Sequence, residues 1–343
     1  MRASSLCIAL LLGVLLAAPA RAAVPRDGSG FGISDDAYHG LAAGAEFEAA
    51  ADAWYGRWFE PLRARAFRFQ VHWNADPVEL DKAARMADWA RAHGVTEIAV
   101  SFKSNGPTPS ADAYAAAIAP IVRALASRVD AWGPANEPNL GDGGFRGVAG
   151  ARLLAEHWLR FVPIVTAEDP TALKLSPEFV DRRDLRPLSP GYMNTYIRSG
   201  GGFGDAAGWH PYWGAHHQDL STTEDFLRYV PPGVPLWITE VGGWGSNQHG
   251  SSGIEDPEDV QNLKVLWLAN TLGRHPRVGR IHYYHARDSG QPDWDSALLR
   301  QDGSRRPSWF TWCVAAHGDN FGHRDCTATW FAPGWAPELP ALG

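Results

Sequence analysis

The sequence predicts a single (β/α)8 barrel of the α/β class. Short apolar segments, rich in β-branched and aromatic residues, recur eight times, and longer segments with helical spacing follow most of them. Strands that alternate with helices imply parallel βαβ units. The segment starts lie about 28 to 45 residues apart, which is the spacing typical of such a barrel.

The eight strands are predicted at residues 31–34, 66–71, 96–102, 129–133, 172–176, 207–210, 235–239 and 280–284. An open, doubly wound sheet is the competing architecture, but no G-x-G-x-x-G motif follows the first segment. Helices are predicted at residues 45–59, 77–93, 112–128, 150–165 and 256–272. The last of these starts with Asp256 as a cap and Pro257 in the first turn.

The N-terminus predicts export from the cell. An apolar run over residues 7–18 precedes an Ala20-Arg21-Ala22 cleavage site, which is typical of a secretory signal peptide over residues 1–22. The run is shorter than the roughly 20 residues that span a bilayer; a retained lipid or membrane anchor is the alternative. Residues 23–343 then form one secreted domain, extracellular or periplasmic, with no membrane partner after cleavage.

The remaining cysteines also fit export, and the C-terminal tail has a distinct composition. Removal of the signal peptide leaves Cys313 and Cys326, which predict one disulfide worth roughly 3 kcal/mol. The alternative is a buried free Cys313 with an exposed Cys326. The tail from about residue 318 is rich in Trp, Pro and Gly, and we expect it to pack over the barrel.

Composition narrows the classes of ligand. The formal net charge of −7 argues against a nucleic-acid partner. Sixteen Trp fit a carbohydrate ligand, because sugar rings stack on aromatic faces, although most Trp residues in any protein pack in the core. No motif predicts a cofactor.

Two glutamates follow apolar strands. Glu137 ends the fourth predicted strand and Glu240 the seventh, and a barrel of this kind carries its active site at these strand ends. Glycoside hydrolysis needs two facing carboxyl groups, one protonated and one ionised. Either glutamate alone is explained by an ion pair with a neighbouring cation, but the pair predicts catalysis.

These residues resemble the clan A glycoside hydrolases over residues 31 to about 315. The matches are Asn136-Glu137-Pro138 on strand four, Thr239-Glu240 on strand seven, Arg68 on strand two and His210-x-Tyr212 on strand six. The resemblance implies a retaining hydrolase of a β-linked oligo- or polysaccharide or glycoside. It also implies double displacement, with Glu137 as the acid/base and Glu240 as the nucleophile.

The resemblance also implies roles for the neighbours. We expect Arg68 and Tyr212 to hold Glu240 in its ionised form, Asn136 to bond the sugar 2-hydroxyl, and His210 to contact the substrate. The alternatives are a plain salt bridge for Arg68, core packing for Tyr212 and a packing role for His210.

Further aromatic residues are candidate sugar contacts. Trp73 follows strand two. Strand eight lacks the clan's terminal Trp, so Tyr284 and Trp294 are the predicted substitutes. Glu178 follows strand five and is a possible third carboxylate or substrate contact.

A metal site is not predicted. His282 and His285 lie on opposite faces of one strand, so they do not naturally chelate one ion, and no C-x-x-C motif occurs. Three other functions remain open: a silent carbohydrate-binding barrel, a transglycosylase using the same two carboxylates, and a metal-dependent hydrolase.

Overall fold

The computed structural model describes residues 27–104, 106–140, 145–181, 190–244, 256–288 and 295–318, together with His323 and Cys326. The predicted signal peptide (1–22), Trp294 and most of the C-terminal tail lie outside the described residues.

Nine parallel strand segments form one curled sheet. They are β1 (Phe31–Ser34), β2 (Ala66–His72), β3 (Glu97–Lys103), β4 (Ala131–Gly133), β5 (Leu173–Lys174), β6 (Phe179–Val180), β7 (Ala207–His210), β8 (Leu236–Val241) and β9 (Val278–Tyr284). Their order in the sheet is β5-β4-β3-β2-β1-β9-β8-β7-β6. Each predicted strand therefore has a counterpart.

The predicted fifth strand is divided into β5 and β6. Pro177 lies between them, and proline has no N–H to donate to a ladder. Pairing nevertheless continues on both sides, because Ser176 N–H donates to Ala206 and Glu178 N–H donates to Ala135. With β5 paired to β4 and β6 paired to β7, the divided strand closes the predicted eight-stranded barrel.

The α-helices are α1 (Phe47–Ala51), α2 (Arg57–Leu62), α3 (Pro77–Ala92), α4 (Ala111–Leu125), α5 (Gly147–Glu168), α6 (Pro190–Arg198), α7 (Tyr212–His217), α8 (Ser221–Leu227), α9 (Pro257–Trp267) and α10 (Pro307–Ala316). The 3-10 turns are Ala37–Gly40, Gly44–Glu46 and Pro138–Leu140, and the π-helical turns are Asp52–Gly56 and Leu268–Leu272. All five predicted helices are confirmed. The Asp256 side chain caps α9 as predicted, accepting from Glu258 N–H.

The sheet buries different residues on its two faces. On β2, Phe67, Phe69 and Val71 belong to the main apolar core. A second, separate cluster contains the small side chains Ala99 and Ala131. Buried polar side chains lie on the same strands, and they form the site described below.

The predicted disulfide between Cys313 and Cys326 is confirmed, with 5.5 Å between the two Cα atoms. It ties α10 to the start of the C-terminal tail. Within the described part of the chain, no helix has the length and apolar character required to cross a membrane.

Candidate active site

The side chain of Glu240 enters the site through an irregularity in β8. The register between β8 and β9 shifts between Ile238 and Val241, and such bulges re-aim side chains next to functional sites. As a result, the consecutive residues Thr239 and Glu240 both make polar contacts with the site, although neighbouring side chains on a regular strand point to opposite faces.

Three donors hold the Glu240 carboxylate. The Tyr212 hydroxyl donates to Oε1 at 2.6 Å. Arg68 Nη1 donates to Oε2 at 2.7 Å, and the Gln70 amide donates to the same oxygen at 3.3 Å. Arg68 and Tyr212 therefore both contact Glu240, and that they hold it in its ionised form stays a prediction.

Arg68 is fully buried and connects the polar side chains of the site by hydrogen bonds. Besides Glu240, its guanidinium donates to Ser34 Oγ at 2.8 Å, to Asn136 Oδ1 at 2.6 Å and to both oxygens of Glu178 at 2.5 and 3.2 Å. The five donors of one guanidinium thus connect four positions around the barrel.

Glu178 is a structural partner of Arg68 rather than an exposed third carboxylate. It has no solvent exposure, and Ser101 Oγ donates to it at 2.7 Å. A Cβ atom at Gly208 would come within 2.7 Å of the Glu178 side chain, so this glycine makes room for it. Burial raises the pKa of Glu178, but Arg68 and His210 outweigh burial and leave the pKa below its ordinary value.

Glu137 faces Glu240 from the end of β4. Its backbone has φ +43°, a left-handed conformation that non-glycine residues adopt rarely. Backbone bonds hold it there, because its N–H donates to Glu178 O and its carbonyl accepts from Leu140 N–H. One carboxylate oxygen of Glu137 lies within 4.8 Å of one of Glu240, which is close to the carboxyl separation of retaining glycosidases and shorter than that of inverting ones.

His210 orients Glu137. Its Nδ1 lies 2.9 Å from Glu137 Oε1, and its Nε2 lies 2.9 Å from Thr239 Oγ1. Burial lowers the pKa of His210 to about 4, so the ring is neutral near pH 7. With the proton on Nδ1, the ring donates to Glu137 and accepts from the Thr239 hydroxyl. This contact makes His210 a positioning residue for the carboxyl.

Burial dominates the electrostatics of Glu240. Burial raises the pKa of its carboxyl and Glu137 adds to that rise, whereas His210, Arg68 and Tyr212 act in the opposite direction; the pKa lies above its ordinary value. The donors therefore reduce the cost of the buried charge without cancelling it, partly because Arg68 is shared with Glu178.

The other predicted site residues have mixed outcomes. Asn136 lies beside Glu137, and because its oxygen accepts from Arg68, its amide NH2 is left to act as a donor. Trp73 and Asn136 line one pocket. Tyr284 lies close enough to Tyr212 and Glu240 to act on them electrostatically. Trp294 is outside the described residues.

Several contributors were missed by the sequence analysis: Ser34, Gln70, Ser101, Thr239 and Asp181. Asp181 accepts hydrogen bonds from the N–H groups of Trp213 and Gly214 at the start of α7, the helix that carries Tyr212. The signal available in the sequence was polar residues at alternate positions of strands two and three. Such a pattern marks an inward polar face, but it does not say which partner each residue meets.

Apart from the disulfide region, two clusters of described residues bring three potential ligand atoms within 4.8 Å of one another: Glu137, His210 and Glu240, and His39, His72 and Glu79. Both clusters are already linked internally, since His210 meets Glu137 and His72 meets Glu79, each at 2.9 Å. His282 instead contacts the carbonyl of Ile238.

Neither the protein-family models nor the sequences of curated proteins match the chain. Solved structures do. A GH5_18 protein from Streptomyces cattleya, in complex with GlcNAc, superposes with a TM-score of 0.63 and 16% identity over 86% of this chain and 80% of that one. A family 39 glycoside hydrolase from Bacteroides cellulosilyticus gives 0.57 and 16% over 86% and 65%. Xylanase 10B from Thermotoga maritima gives 0.57 and 13% over 86% and 96%.

These likenesses identify the fold. The chain has the (β/α)8 barrel fold of the clan A glycoside hydrolases. Fold alone does not define an activity; the activity depends on the Glu137 and Glu240 carboxyls and their surroundings.

Proposed function

We propose that this protein is a secreted, retaining glycoside hydrolase that acts on a β-linked glycan or glycoside, with Glu137 as the acid/base and Glu240 as the nucleophile. The observation that carries the proposal is the approach of the two carboxylates to within 4.8 Å. That separation leaves no room for the attacking water that an inverting enzyme places between its carboxyl groups.

In the first step, protonated Glu137 gives its proton to the departing glycosidic oxygen while ionised Glu240 attacks the anomeric carbon. The bond from the anomeric carbon to the leaving group breaks, and an ester bond to Glu240 forms. Arg68 and Tyr212 stabilise the carboxylate before it attacks. Asn136 NH2 is placed beside Glu137 to donate to the sugar 2-hydroxyl, a contact that strengthens in the transition state.

In the second step, Glu137 is ionised and removes a proton from water, whose oxygen attacks the anomeric carbon and releases Glu240. The neutral His210 ring keeps its bond to Glu137 in both steps, so the carboxyl stays aligned while its charge changes. A sugar hydroxyl in place of water gives transglycosylation, the principal alternative outcome of the same intermediate.

Other features support the proposal. Proteins of the same fold in the comparison include a family 39 glycoside hydrolase and a xylanase. The disulfide fits an oxidising compartment, and with the predicted signal peptide it favours secretion. A silent binding barrel has no need for a closely spaced, oriented carboxyl pair.

The test is covalent trapping with a panel of 2-fluoro-glycosides that carry activated leaving groups. Intact-mass spectrometry compares the wild type with Glu240→Gln and Glu137→Gln, and proton NMR follows the anomer first released from a cleaved glycan. We expect an adduct on Glu240 in the wild type, no adduct in Glu240→Gln, and initial release of the β-anomer.

The outcomes separate the alternatives. An adduct on another carboxylate overturns the site assignment. Absence of both an adduct and released sugar favours the silent barrel. Activity lost with a chelator and restored by a divalent metal favours a metal-dependent hydrolase, for which Glu137, His210 and Glu240 supply a ligand set.

A further inference from the structure

A pocket opens beside the catalytic pair, at the carboxyl ends of β2, β3 and β4. Asn136, which adjoins Glu137, forms part of its wall, together with Trp73, Lys103 and Thr108. The pocket holds about 350 Å3 of open space, including its mouth. Because Asn136 adjoins Glu137, the pocket lies next to the place where substrate has to lie.

The charge that lines this pocket is positive. Among the described residues, Lys103 is its only charged lining residue, and no described Asp or Glu lines it. Within the described part of the chain, the Lys103 ammonium has no hydrogen-bonding or ion-pairing partner. The nearby carboxylate of Glu79 is occupied by the ring and backbone N–H of His72. An ammonium without a counter-ion among the described residues favours an anionic ligand.

Two residues of the pocket wall carry further donors. The Trp73 indole N–H and the Thr108 hydroxyl are both shielded from solvent and have no hydrogen-bond partner among the described residues. The indole N–H can only donate. Buried polar groups without partners cost free energy unless a ligand satisfies them. One cation and two donors suit a carboxylate or sulfate, which offers several acceptor oxygens.

The neighbouring His39 adds no positive charge to the pocket near pH 7. Burial, with a smaller contribution from the charge of Lys103, lowers the pKa of His39 to about 4. His39 is therefore neutral near pH 7, and Lys103 supplies the positive charge. Since the whole chain carries a formal charge of −7, attraction of an anion depends on this local site rather than on the overall field.

We propose that this pocket binds an acidic substituent of the substrate, a uronic acid carboxylate or a sulfate ester, and that the enzyme acts on an acidic glycan. Lys103 supplies the charge, and the donors of Trp73 and Thr108 complete the contact. This inference rests on the proposed function, because it assigns the substrate class of that same site.

The test compares substrates that differ only in the acidic group. A uronate-bearing β-glycan is assayed beside its carboxyl-reduced form, and a sulfated β-glycan beside its desulfated form. The variants are Lys103→Met and Lys103→Arg. Lys82→Met is the matched control, because Lys82 bonds the His39 carbonyl and does not line the pocket. Melting temperatures verify that each variant folds.

We expect Lys103→Met to lower kcat/KM about 10- to 100-fold on one acidic substrate and to leave the neutral form within about twofold. Lys103→Arg should retain most of the activity, and Lys82→Met should match the wild type. The responding pair identifies carboxylate or sulfate. Equal rates of the wild type on acidic and neutral forms, or equal losses on both forms in Lys103→Met, overturn the proposal.

A binding measurement distinguishes failure of the proposed anion-binding pocket from failure of the proposed hydrolase function. Gel electrophoresis through each polysaccharide measures retardation without catalysis. If the wild type neither cleaves a glycan nor forms a glycosyl adduct, the hydrolase proposal fails. The proposed anion-binding pocket is then still supported if acidic polymers retard the wild type and not Lys103→Met, and it is overturned if they retard neither protein.

Discussion

Individual side chains in this site act through shared partners. Arg68 divides its donors between Glu178 and Glu240. Burial raises the pKa of both carboxyls and Arg68 lowers it, and the net pKa falls below its ordinary value at Glu178 but stays above it at Glu240. Tyr212 adds a neutral donor to Glu240 without adding charge. Glu240 therefore takes up a proton at higher pH than an ordinary glutamate does.

At the residue scale, Tyr212→Phe tests this balance. The acid limb of kcat/KM in the wild type should lie above pH 4.5, the ordinary value for a glutamate. Removing the hydroxyl removes a contact that lowers the pKa of Glu240, so the limb should move to higher pH. The value of kcat/KM at its pH optimum should also fall about 10- to 100-fold.

The measurement is the pH profile of kcat/KM on an activated glycoside. Tyr196→Phe is the control, because that buried hydroxyl bonds only the Gly202 backbone among the described residues and its loss should leave the profile in place. An unshifted acid limb in Tyr212→Phe would mean that another group sets it.

Among the elements, β8 positions side chains of the site by a register shift, and α7 positions Tyr212 through contacts at its start. The register shift in β8 brings Thr239 and Glu240 to the same site. The short helix α7 presents Tyr212, and Asp181 receives two N–H groups at its start together with the Thr222 hydroxyl. Burial raises the pKa of Asp181 to about 7. The start of α7 is thus held by a carboxyl group that titrates near neutrality.

At the element scale, Asp181→Asn tests this titration. A carboxyl with a raised folded-state pKa keeps a proton that the unfolded chain has released. Its contribution is therefore full below about pH 4 and is lost as pH rises through about 7. The variant should lack this slope, so the difference in unfolding free energy between wild type and Asp181→Asn should shrink from pH 5 to pH 8.

Urea unfolding at both pH values measures the difference. Thr222→Val serves as the control, since it removes a hydroxyl donor but retains the carboxyl and hence the slope. A gap between wild type and Asp181→Asn that is constant with pH would contradict the titration.

Across the whole molecule, the barrel interior is tied together by charge as well as by apolar packing. The apolar cluster separate from the main core is small and includes Ala99, Ala131 and Trp237. Arg68 links β1, β2 and β8 with the ends of the β4 and β5–β6 segments through Ser34, Glu240, Asn136 and Glu178. Stability and the site geometry therefore depend on the same buried ion pairs.

At the scale of the molecule, Arg68→Met should lower the free energy of unfolding by about 3–5 kcal/mol, because it leaves buried carboxylates without their cation. Glu178→Gln should cost less, since Arg68 keeps Glu240 as a partner. The double variant Arg68→Met with Glu178→Gln should be more stable than Arg68→Met alone, because one uncompensated charge is gone.

Urea denaturation of the two single variants and the double variant completes the cycle. Arg123→Met is the control, because its pair with Glu168 is exposed and should contribute little. Additive effects of the two substitutions would contradict a direct coupling between Arg68 and Glu178.

Much of this molecule was predictable from local pattern. Apolar strands and amphipathic helices alternate because each has to bury one face, so the barrel, the five predicted helices and the ends of the strands that carry Glu137 and Glu240 followed from periodicity and spacing. The disulfide followed from the two cysteines that lie beyond the predicted signal peptide. The division of strand five at Pro177 was missed, although proline's missing N–H was visible in the sequence.

The partners within the site were decided by tertiary structure alone. Arg68 and Glu240 are 172 residues apart in the chain and Arg68 and Glu178 are 110 apart, and no local pattern encodes which of two carboxylates a buried cation will favour. Likewise, the register shift of β8 and the uncompensated charge of Lys103 exist only once neighbouring strands and loops have closed around them. Sequence by itself determined which elements form and which residues end the strands, because those depend on neighbours in the chain. Distances, burial and charge sharing depend on neighbours in space.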